Sequence, residues 1–222
     1  MGQLRVLPAL FLIQFTFLTA QERPPARTIC TVCALRGDTR LKKVKARSEY
    51  EGKTYYFNSK NCKKEFESDP VAYLPPQLPR PAPAFVVETL EGKKVALQDF
   101  ENRVVLLDFW ATWCKPCRDM MPGLQELHET YSGKGLVVLG ISIDEGKNRV
   151  KKVQKFLQKV EVSYPILVDS KNALAWQSYK VKVVPATFLI DRNGSIVQQW
   201  MGMVDHEKVR TAVTKLLASE DN

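Results

Sequence analysis

The 222-residue chain is long enough for one large domain, or for one standard domain with a small module, and too short for several catalytic domains. Apolar residues make up 45% of it and charged residues 26%, which is typical of a globular protein and excludes a disordered or fibrous one. The net charge of +9 arises mostly between residues 21 and 80. No basic stripe with interleaved aromatic residues accompanies it, so we expect no nucleic-acid partner.

Residues 1–20 predict a secretory signal peptide. A short basic region ends at Arg5, an apolar stretch follows, and Ala20 precedes a polar residue. The apolar stretch is broken by Pro8 and Gln14 and is shorter than the roughly 20 residues of a membrane span. We therefore expect a periplasmic or otherwise extracytoplasmic mature chain without a membrane span, where disulfides persist. An uncleaved N-terminal anchor is the alternative.

A proline-rich segment divides the rest of the chain. Residues 75–83 have neither a helical nor a strand period, which indicates a semi-rigid linker. Residues 27–74, ahead of the linker, are too few to bury much core without a metal, a disulfide or a neighbour. Residues 84–220, after the linker, alternate strand and helix signals, which predicts an α/β domain.

The α/β segment predicts a regular series of elements. In chain order these are a hairpin over 84–97, a strand over 104–110, a helix over 116–131, a strand over 136–143, a helix over 147–159, a strand over 165–169, a helix over 171–179, an antiparallel hairpin over 186–201 and a helix over 205–218. The second hairpin turns at Asn193-Gly194, a pair that tolerates positive φ.

The most informative motif is Cys-Lys-Pro-Cys at 114–117, which follows a buried strand and an aromatic loop and opens a helix. A thiol at a helix N-terminus lies near the positive end of the helix dipole, which favours the thiolate. Cys114 is therefore the predicted nucleophile. Cys117, one turn further on, is placed to resolve a mixed disulfide at Cys114. The alternatives are an inert disulfide or half of a zinc site, but residues 84–220 contain no further cysteine.

Asp108 lies inside the apolar strand, six residues before Cys114. A buried carboxylate is costly without partners or a role, so we predict a raised pKa for Asp108 and proton exchange with Cys117. The alternative is an aspartate at the strand end that reaches solvent. We expect Trp113, next to the nucleophile, to form a partly exposed lid over the disulfide and to contact substrate.

The FWATWCKPC segment, the VVPATFLIDRNG segment, Pro122 and Gly202 resemble the thioredoxin fold, in particular the TlpA/ResA-like thiol-disulfide oxidoreductases. The resemblance covers residues 84–220 and implies a mixed central sheet flanked by helices. It also implies a cis bond between Val184 and Pro185, with Pro185 against the active disulfide and Val184 at the substrate surface. No cofactor is required for the exchange chemistry of this family.

Two residues depart from the family pattern. Met120 stands where many TlpA/ResA-like sequences carry a glutamate, and Ala186 follows the proposed cis-proline where threonine is common. The family's substrate selectivity therefore does not carry over to this chain.

Residues 28–74 resemble the YHS domain, a small module often suggested to bind heavy metals. Cys30 and Cys33 form a chelating pair that Cys62 completes into a three-thiolate site for Cu(I) or Zn(II). Asn58 stands where related modules often have a further cysteine. The alternatives are a structural or redox disulfide between two of these cysteines in an oxidising compartment, and three cysteines that are simply part of the core.

These features predict an extracytoplasmic thiol-disulfide oxidoreductase that reduces protein disulfides. The resemblance implies apocytochromes or copper-site proteins as substrates, in cytochrome c maturation for example, and a membrane thiol electron donor. The alternative is a heavy-metal binding or delivery protein whose thioredoxin domain keeps the metal-ligand cysteines reduced. A disulfide-forming oxidase shares the fold. We do not expect a peroxidase, because a peroxidatic cysteine follows a Pro-x-x-x-Thr/Ser-x-x-Cys pattern that is absent around 114–117.

Overall fold

The computed structural model describes residues 23–169 and 174–219. The predicted signal peptide lies outside these residues. Within them, no helix is both long enough and apolar enough to cross a membrane.

The N-terminal module (residues 27–74) consists of short elements. They are β1 (Arg27–Thr28), α1 (Thr31–Leu35), β2 (Lys42–Lys43), β3 (Ala46–Tyr50), β4 (Lys53–Phe57) and α2 (Lys60–Ser68). β1 pairs with β2, and β3 pairs with β4, both antiparallel. The turn between β3 and β4 has positive φ at Glu51 and Gly52, the geometry that closes a two-residue hairpin.

The module has a small aromatic core. Phe57 and Phe66 are fully buried, and their ring centroids lie 5.1 Å apart. The other buried members of this core are Cys30, Val32 and Cys62. The three cysteines of the module are therefore part of, or adjacent to, the only sizeable apolar cluster that the described residues of this module form.

The remaining elements form a larger mixed sheet with helices. They are β5 (Arg80–Pro81), β6 (Val86–Thr89), β7 (Lys94–Ala96), β8 (Val104–Trp110), α3 (Lys115–Tyr131), β9 (Leu136–Ser142), α4 (Arg149–Leu157), β10 (Ile166–Val168), α5 (Ala175–Ser178), β11 (Ala186–Ile190), β12 (Ser195–Met201) and α6 (His206–Ala218). The strand order is β5-β12-β11-β8-β9-β10-β6-β7. β8, β9 and β10 are parallel to one another and the other neighbours are antiparallel. This is the thioredoxin-type α/β arrangement, which confirms the predicted fold class.

Strand β8 is central, and all seven of its residues are buried. Its side chains alternate between the two faces of the sheet. Leu107 and Phe109 join one apolar cluster with Phe188, whereas Leu106 joins Leu124 of α3 in a second cluster on the other face. A continuous apolar run is what a strand covered on both faces requires.

The end of the proline-rich segment is part of the sheet. Arg80 and Pro81, within the predicted 75–83 linker, form β5 and pair with β12 at the sheet edge, where proline is tolerated. The end of the predicted linker therefore pairs with the edge of the sheet.

Candidate active site

Cys114 and Cys117 are joined by a disulfide at the start of α3. Cys114 is the N-cap residue, and its Sγ accepts a hydrogen bond from the backbone N–H of Cys117 at 3.1 Å. Pro116 lies in the first turn, where its missing N–H costs no helical hydrogen bond. The helix dipole and this N–H both favour a thiolate at Cys114.

The two sulfur-bearing residues differ in accessibility. Cys114 is 5% exposed, while Cys117 has no exposed surface. An incoming sulfur can therefore approach only from the Cys114 side. Cys117 packs in an apolar cluster with Trp110 and Met121, inside the domain.

Asp108 lies in strand β8 and is fully buried. Leu106 and Trp110, two residues to either side, pack in clusters with residues of α3, so the side chain of Asp108 faces the helix that carries Cys117. Its Oδ1 accepts a hydrogen bond from Thr187, and Oδ2 has no partner among the described residues. Burial raises the pKa of Asp108 to about 7, and the Thr187 hydrogen bond offsets part of that rise.

Thr187 is a site residue that sequence reasoning missed. It lies opposite Asp108 in the antiparallel pairing of β11 with β8 and is itself fully buried. Its hydroxyl group donates a hydrogen bond to Oδ1 of Asp108, with 3.0 Å between the oxygen atoms. Asp108 and Thr187 are the polar residues of two otherwise apolar strands, β8 and β11. This pattern is the sequence signal that could have revealed the hydrogen-bonded pair.

Asp144 is a second site residue that sequence reasoning did not identify. It fixes the loop before Cys114 by hydrogen bonds to Thr112. Its carboxylate accepts hydrogen bonds from the backbone N–H of Thr112 at 2.8 Å and from the Thr112 hydroxyl at 2.7 Å. Ser142, at the end of β9, donates a third at 2.9 Å. Asp144 therefore ties the active-site loop to the neighbouring strand.

Trp113 is more exposed than the sequence predicts. It is 70% exposed and lines a shallow cavity of about 180 Å³ together with Cys114 and Phe156. Thr112 turns inward to Asp144, and the adjacent Trp113 projects into solvent. The exposed indole therefore borders the same surface cavity as Cys114.

The loop before β11 borders the same centre. The Val184–Pro185 peptide bond is cis, and the N–H of Gly202 donates to the carbonyl of Pro185 at 2.8 Å. Val184 packs against the apolar cluster that contains Cys114 and Cys117. The structure thus brings together the residues that the sequence singled out around the disulfide.

The module's three cysteines also converge. The sulfur atoms of Cys30, Cys33 and Cys62 lie within 4.8 Å of one another, with 3.8 Å between those of Cys33 and Cys62. The Asn58 side-chain oxygen is 3.5 Å from the Cys33 sulfur. Burial and the neighbouring Cys30 raise the pKa of Cys33 to about 11. Burial also acts to raise the pKa of Cys30, but hydrogen bonds from the backbone of Cys33 and Asn58 outweigh it and lower that pKa.

Comparison with known proteins identifies both parts of the chain. A model of the AhpC/TSA family matches residues 78–199, more than half of the chain. The chain belongs to the AhpC/TSA family. A model of the YHS domain matches residues 39–77. That match contains Cys62 but not Cys30 or Cys33, which the structure nevertheless packs beside it.

Individual relatives are consistent with the family match. The thiol-disulfide oxidoreductase ResA of Bacillus thuringiensis subsp. konkukian is 35% identical over 140 residues, which is 63% of this chain and 79% of the relative. The thioredoxin-like protein YneN of Bacillus subtilis is 37% identical over 128 residues, 58% of this chain and 74% of the relative.

Solved structures agree on the fold. A protein from Chlorobium tepidum assigned as the thiol:disulfide interchange protein DsbE superposes with a TM-score of 0.58 at 33% identity, covering 63% of this chain and 96% of that one. The thioredoxin domain of a Bacteroides vulgatus thiol-disulfide oxidoreductase superposes with a TM-score of 0.56 at 26% identity, and the match covers 62% of this chain and 96% of that one. This chain is a thiol-disulfide oxidoreductase with a YHS domain at its N-terminus.

The buried carboxyl group predicts a pH-dependent stability. The folded pKa of Asp108, about 7, lies above its ordinary value of 3.8, so folding favours the protonated form. That contribution is fully present below pH 3.8 and is lost as pH rises through 7. The free energy of unfolding should therefore fall by roughly 4 kcal/mol across this window relative to an Asp108→Asn variant, which cannot ionise. Urea unfolding of both oxidised proteins at several pH values measures the difference, and parallel pH profiles would contradict a buried, titrating Asp108.

Proposed function

We propose that this protein reduces protein disulfides outside the cytoplasm by dithiol–disulfide exchange at Cys114 and Cys117. The observation that carries the proposal is the asymmetry of the pair: one sulfur is accessible at a helix N-terminus and the other is buried on the side of Asp108. A metal or an organic cofactor is not needed for this exchange.

The reaction follows from that asymmetry. The Cys114 thiolate attacks one sulfur of a substrate disulfide and forms a mixed disulfide, while the second substrate sulfur leaves as a thiolate. The Cys117 thiol then loses its proton to Asp108 and attacks the Cys114 sulfur. This step releases the reduced substrate and restores the Cys114–Cys117 disulfide. With a pKa of about 7, Asp108 is suited to accept the proton near neutral pH.

The surroundings of the disulfide support a polypeptide substrate. Trp113 and Met203 are large apolar side chains that are 70% and 65% exposed, and Met203 directly follows Gly202 at the cis-proline loop. Exposed apolar groups of this kind favour an extended or unfolded segment over a small polar molecule. Within this class, the resemblance to TlpA/ResA proteins points to cysteines of apocytochromes or copper-site proteins, with a membrane thiol as electron donor.

The compartment and the domain limits belong to the same proposal. Residues 1–20 act as the signal peptide, residues 27–74 as the YHS-like module, residues 75–83 as the linker and residues 84–220 as the thioredoxin-like domain. The character of residues 1–20 supports export to the periplasm or another oxidising compartment.

Two cysteine variants test the proposed roles. With dithiothreitol as electron donor and insulin as the disulfide substrate, Cys114→Ser should reduce turnover to the uncatalysed rate. Cys117→Ser should instead accumulate a mixed disulfide with substrate, because the resolving thiol is missing. The matched control is Cys30→Ser/Cys33→Ser/Cys62→Ser, which should keep turnover. Equal trapping in the Cys114→Ser variant would refute the assigned order of attack.

A second function, metal binding by the module, is favoured by the geometry of its cysteines. A Zn–S bond of about 2.3 Å in a tetrahedral site places sulfur atoms about 3.8 Å apart. The Cys33 and Cys62 sulfurs have this separation, and that of Cys30 lies within 4.8 Å. Three thiolates would hold Cu(I) or Zn(II), and the Asn58 side-chain oxygen lies beside the Cys33 sulfur.

The metal hypothesis predicts one Zn(II) or Cu(I) per reduced chain, lost in Cys30→Ser/Cys33→Ser/Cys62→Ser. An Asn58→Cys variant should bind about tenfold more tightly or better, because it supplies a fourth thiolate. Asn61→Cys is the matched control, since it adds a cysteine at an exposed position in the first turn of α2. Affinities follow from competition with a chromogenic chelator. Equal gains in both variants would contradict a site at this cluster.

A further inference from the structure

We propose that the Cys33–Cys62 pair of the N-terminal module is an intramolecular substrate of the Cys114–Cys117 pair, so that the chain transfers two electrons between its own two dithiols. The inference rests on the proposed function, because it needs Cys114 to act as the exchange nucleophile. It adds a specific substrate within the same chain, the Cys33–Cys62 pair. That substrate is inferred from the contacts between the N-terminal module and the thioredoxin-like domain.

The first observation is that Cys33 and Cys62 are poised to form a disulfide. Their sulfur atoms are 3.8 Å apart, and a disulfide bond needs about 2.0 Å, so the two sulfur atoms would have to approach by roughly 1.8 Å. Cys33 is only partly buried, whereas Cys30 and Cys62 are buried in the module core. In an oxidised Cys33–Cys62 pair, the Cys33 sulfur is therefore the one open to attack.

The second observation is that the end of α1 lies close to Gly202, at the cis-proline loop. A methyl group built at Gly202 would lie 3.9 Å from the carbonyl oxygen of Leu35, two residues after Cys33. Gly202 in turn donates its N–H to the carbonyl of Pro185. Val184, the neighbour of Pro185, packs in the cluster that contains the disulfide. The helix that carries Cys33 therefore lies near the loop that borders the Cys114–Cys117 disulfide.

A charged contact holds the module on the same side. The carboxylate of Asp69, just after α2, lies 3.2 Å from the ammonium group of Lys182 and 3.9 Å from that of Lys180. Lys182 is two residues before Val184, so the contact adjoins the cis-proline loop. Partly exposed ion pairs of this kind contribute little energy. The module is therefore held near the redox centre by contacts weak enough to let it shift toward Cys114.

The proposed step balances atoms and electrons. The Cys114 thiolate attacks the Cys33 sulfur, the Cys33–Cys62 bond breaks, and Cys62 leaves as a thiolate. Cys117 then attacks the Cys114 sulfur, and Cys33 leaves as a thiolate. Cys114 and Cys117 are oxidised by two electrons and the module pair is reduced by two. A dithiol donor then returns the Cys114–Cys117 pair to its reduced form.

An internal partner has a kinetic advantage over any external one. A short tether gives an effective concentration of about 1 mM, roughly a thousandfold above a 1 µM protein solution. The internal reaction should therefore be independent of protein concentration, which separates it from exchange between two chains.

The test uses the full chain with Cys30→Ser and Cys117→Ser, which retains Cys33, Cys62 and Cys114. After equilibration in a glutathione redox buffer and acid quenching, peptide mass spectrometry identifies which cysteines are joined. We expect an intrachain Cys114–Cys33 bond whose yield does not change between about 1 and 100 µM protein. The matched control adds Cys33→Ser and should lose this bond.

The same variant is then offered an external disulfide peptide. If it forms a mixed disulfide with the peptide but no bond to Cys33, the internal partner is disproved and the proposed function stands. If it reacts with neither, both are disproved.

A charge reversal tests the docking contact with every cysteine in place. Lys182→Glu places a negative charge against Asp69 and should slow internal transfer about threefold to tenfold, with turnover of the external peptide unchanged. Lys134→Glu, an exposed lysine at the far end of α3, is the control and should leave the internal rate unchanged. A Lys182→Glu rate equal to wild type would contradict docking through this face.

Discussion

The buried carboxyl group of Asp108 is the constraint around which the redox centre is organised. A carboxylate without exposed surface is expensive unless it is hydrogen-bonded or neutral. Here burial raises the pKa of Asp108 to about 7, and the hydrogen bond from Thr187 to one oxygen offsets part of that rise, while the other oxygen has no partner among the described residues. The group is held there because strand β8 is paired on both edges and covered on both faces.

The same strand leads to the proposed nucleophile, Cys114. It ends at Trp110, and four residues later Cys114 caps α3, so the strand and the helix dipole meet at the disulfide. The loop between them is fixed by Asp144, which binds the backbone and the side chain of Thr112. The geometry around the disulfide therefore depends on one buried hydrogen bond, from Thr187 to Asp108, and on two partly buried ones, from Thr112 to Asp144.

The cysteine cluster of the N-terminal module adds a second thiol centre. It is built from two segments, α1 and the start of α2, around the Phe57 and Phe66 core. Metal binding and disulfide exchange compete for the same sulfur atoms, because a thiolate bound to a metal is not free to react. In a chain that carries its own oxidoreductase domain, the redox state of Cys33 and Cys62 would decide whether the cluster can hold an ion.

Most of the fold could be predicted from the sequence, because long apolar strands and a Cys-x-x-Cys motif at a strand–helix junction are strong local signals. Thr187 and Asp144 could not, because their roles arise from pairing between distant strands, which one sequence does not reveal. The inclusion of Arg80 and Pro81 in the sheet was missed for a related reason: proline argues against a strand except at an edge. The position of Trp113 depends on the inward turn of its neighbour, which no local pattern encodes.

The equilibrium reduction potential of the Cys114–Cys117 pair tests the central claim most directly. It is best measured in the chain with Cys30→Ser, Cys33→Ser and Cys62→Ser, with a chelator present, against glutathione or thioredoxin of known potential. A reductase requires a value near thioredoxin's roughly −270 mV, which is the result that we expect. A value near the roughly −120 mV of DsbA would contradict the account and make the protein a disulfide-forming oxidant.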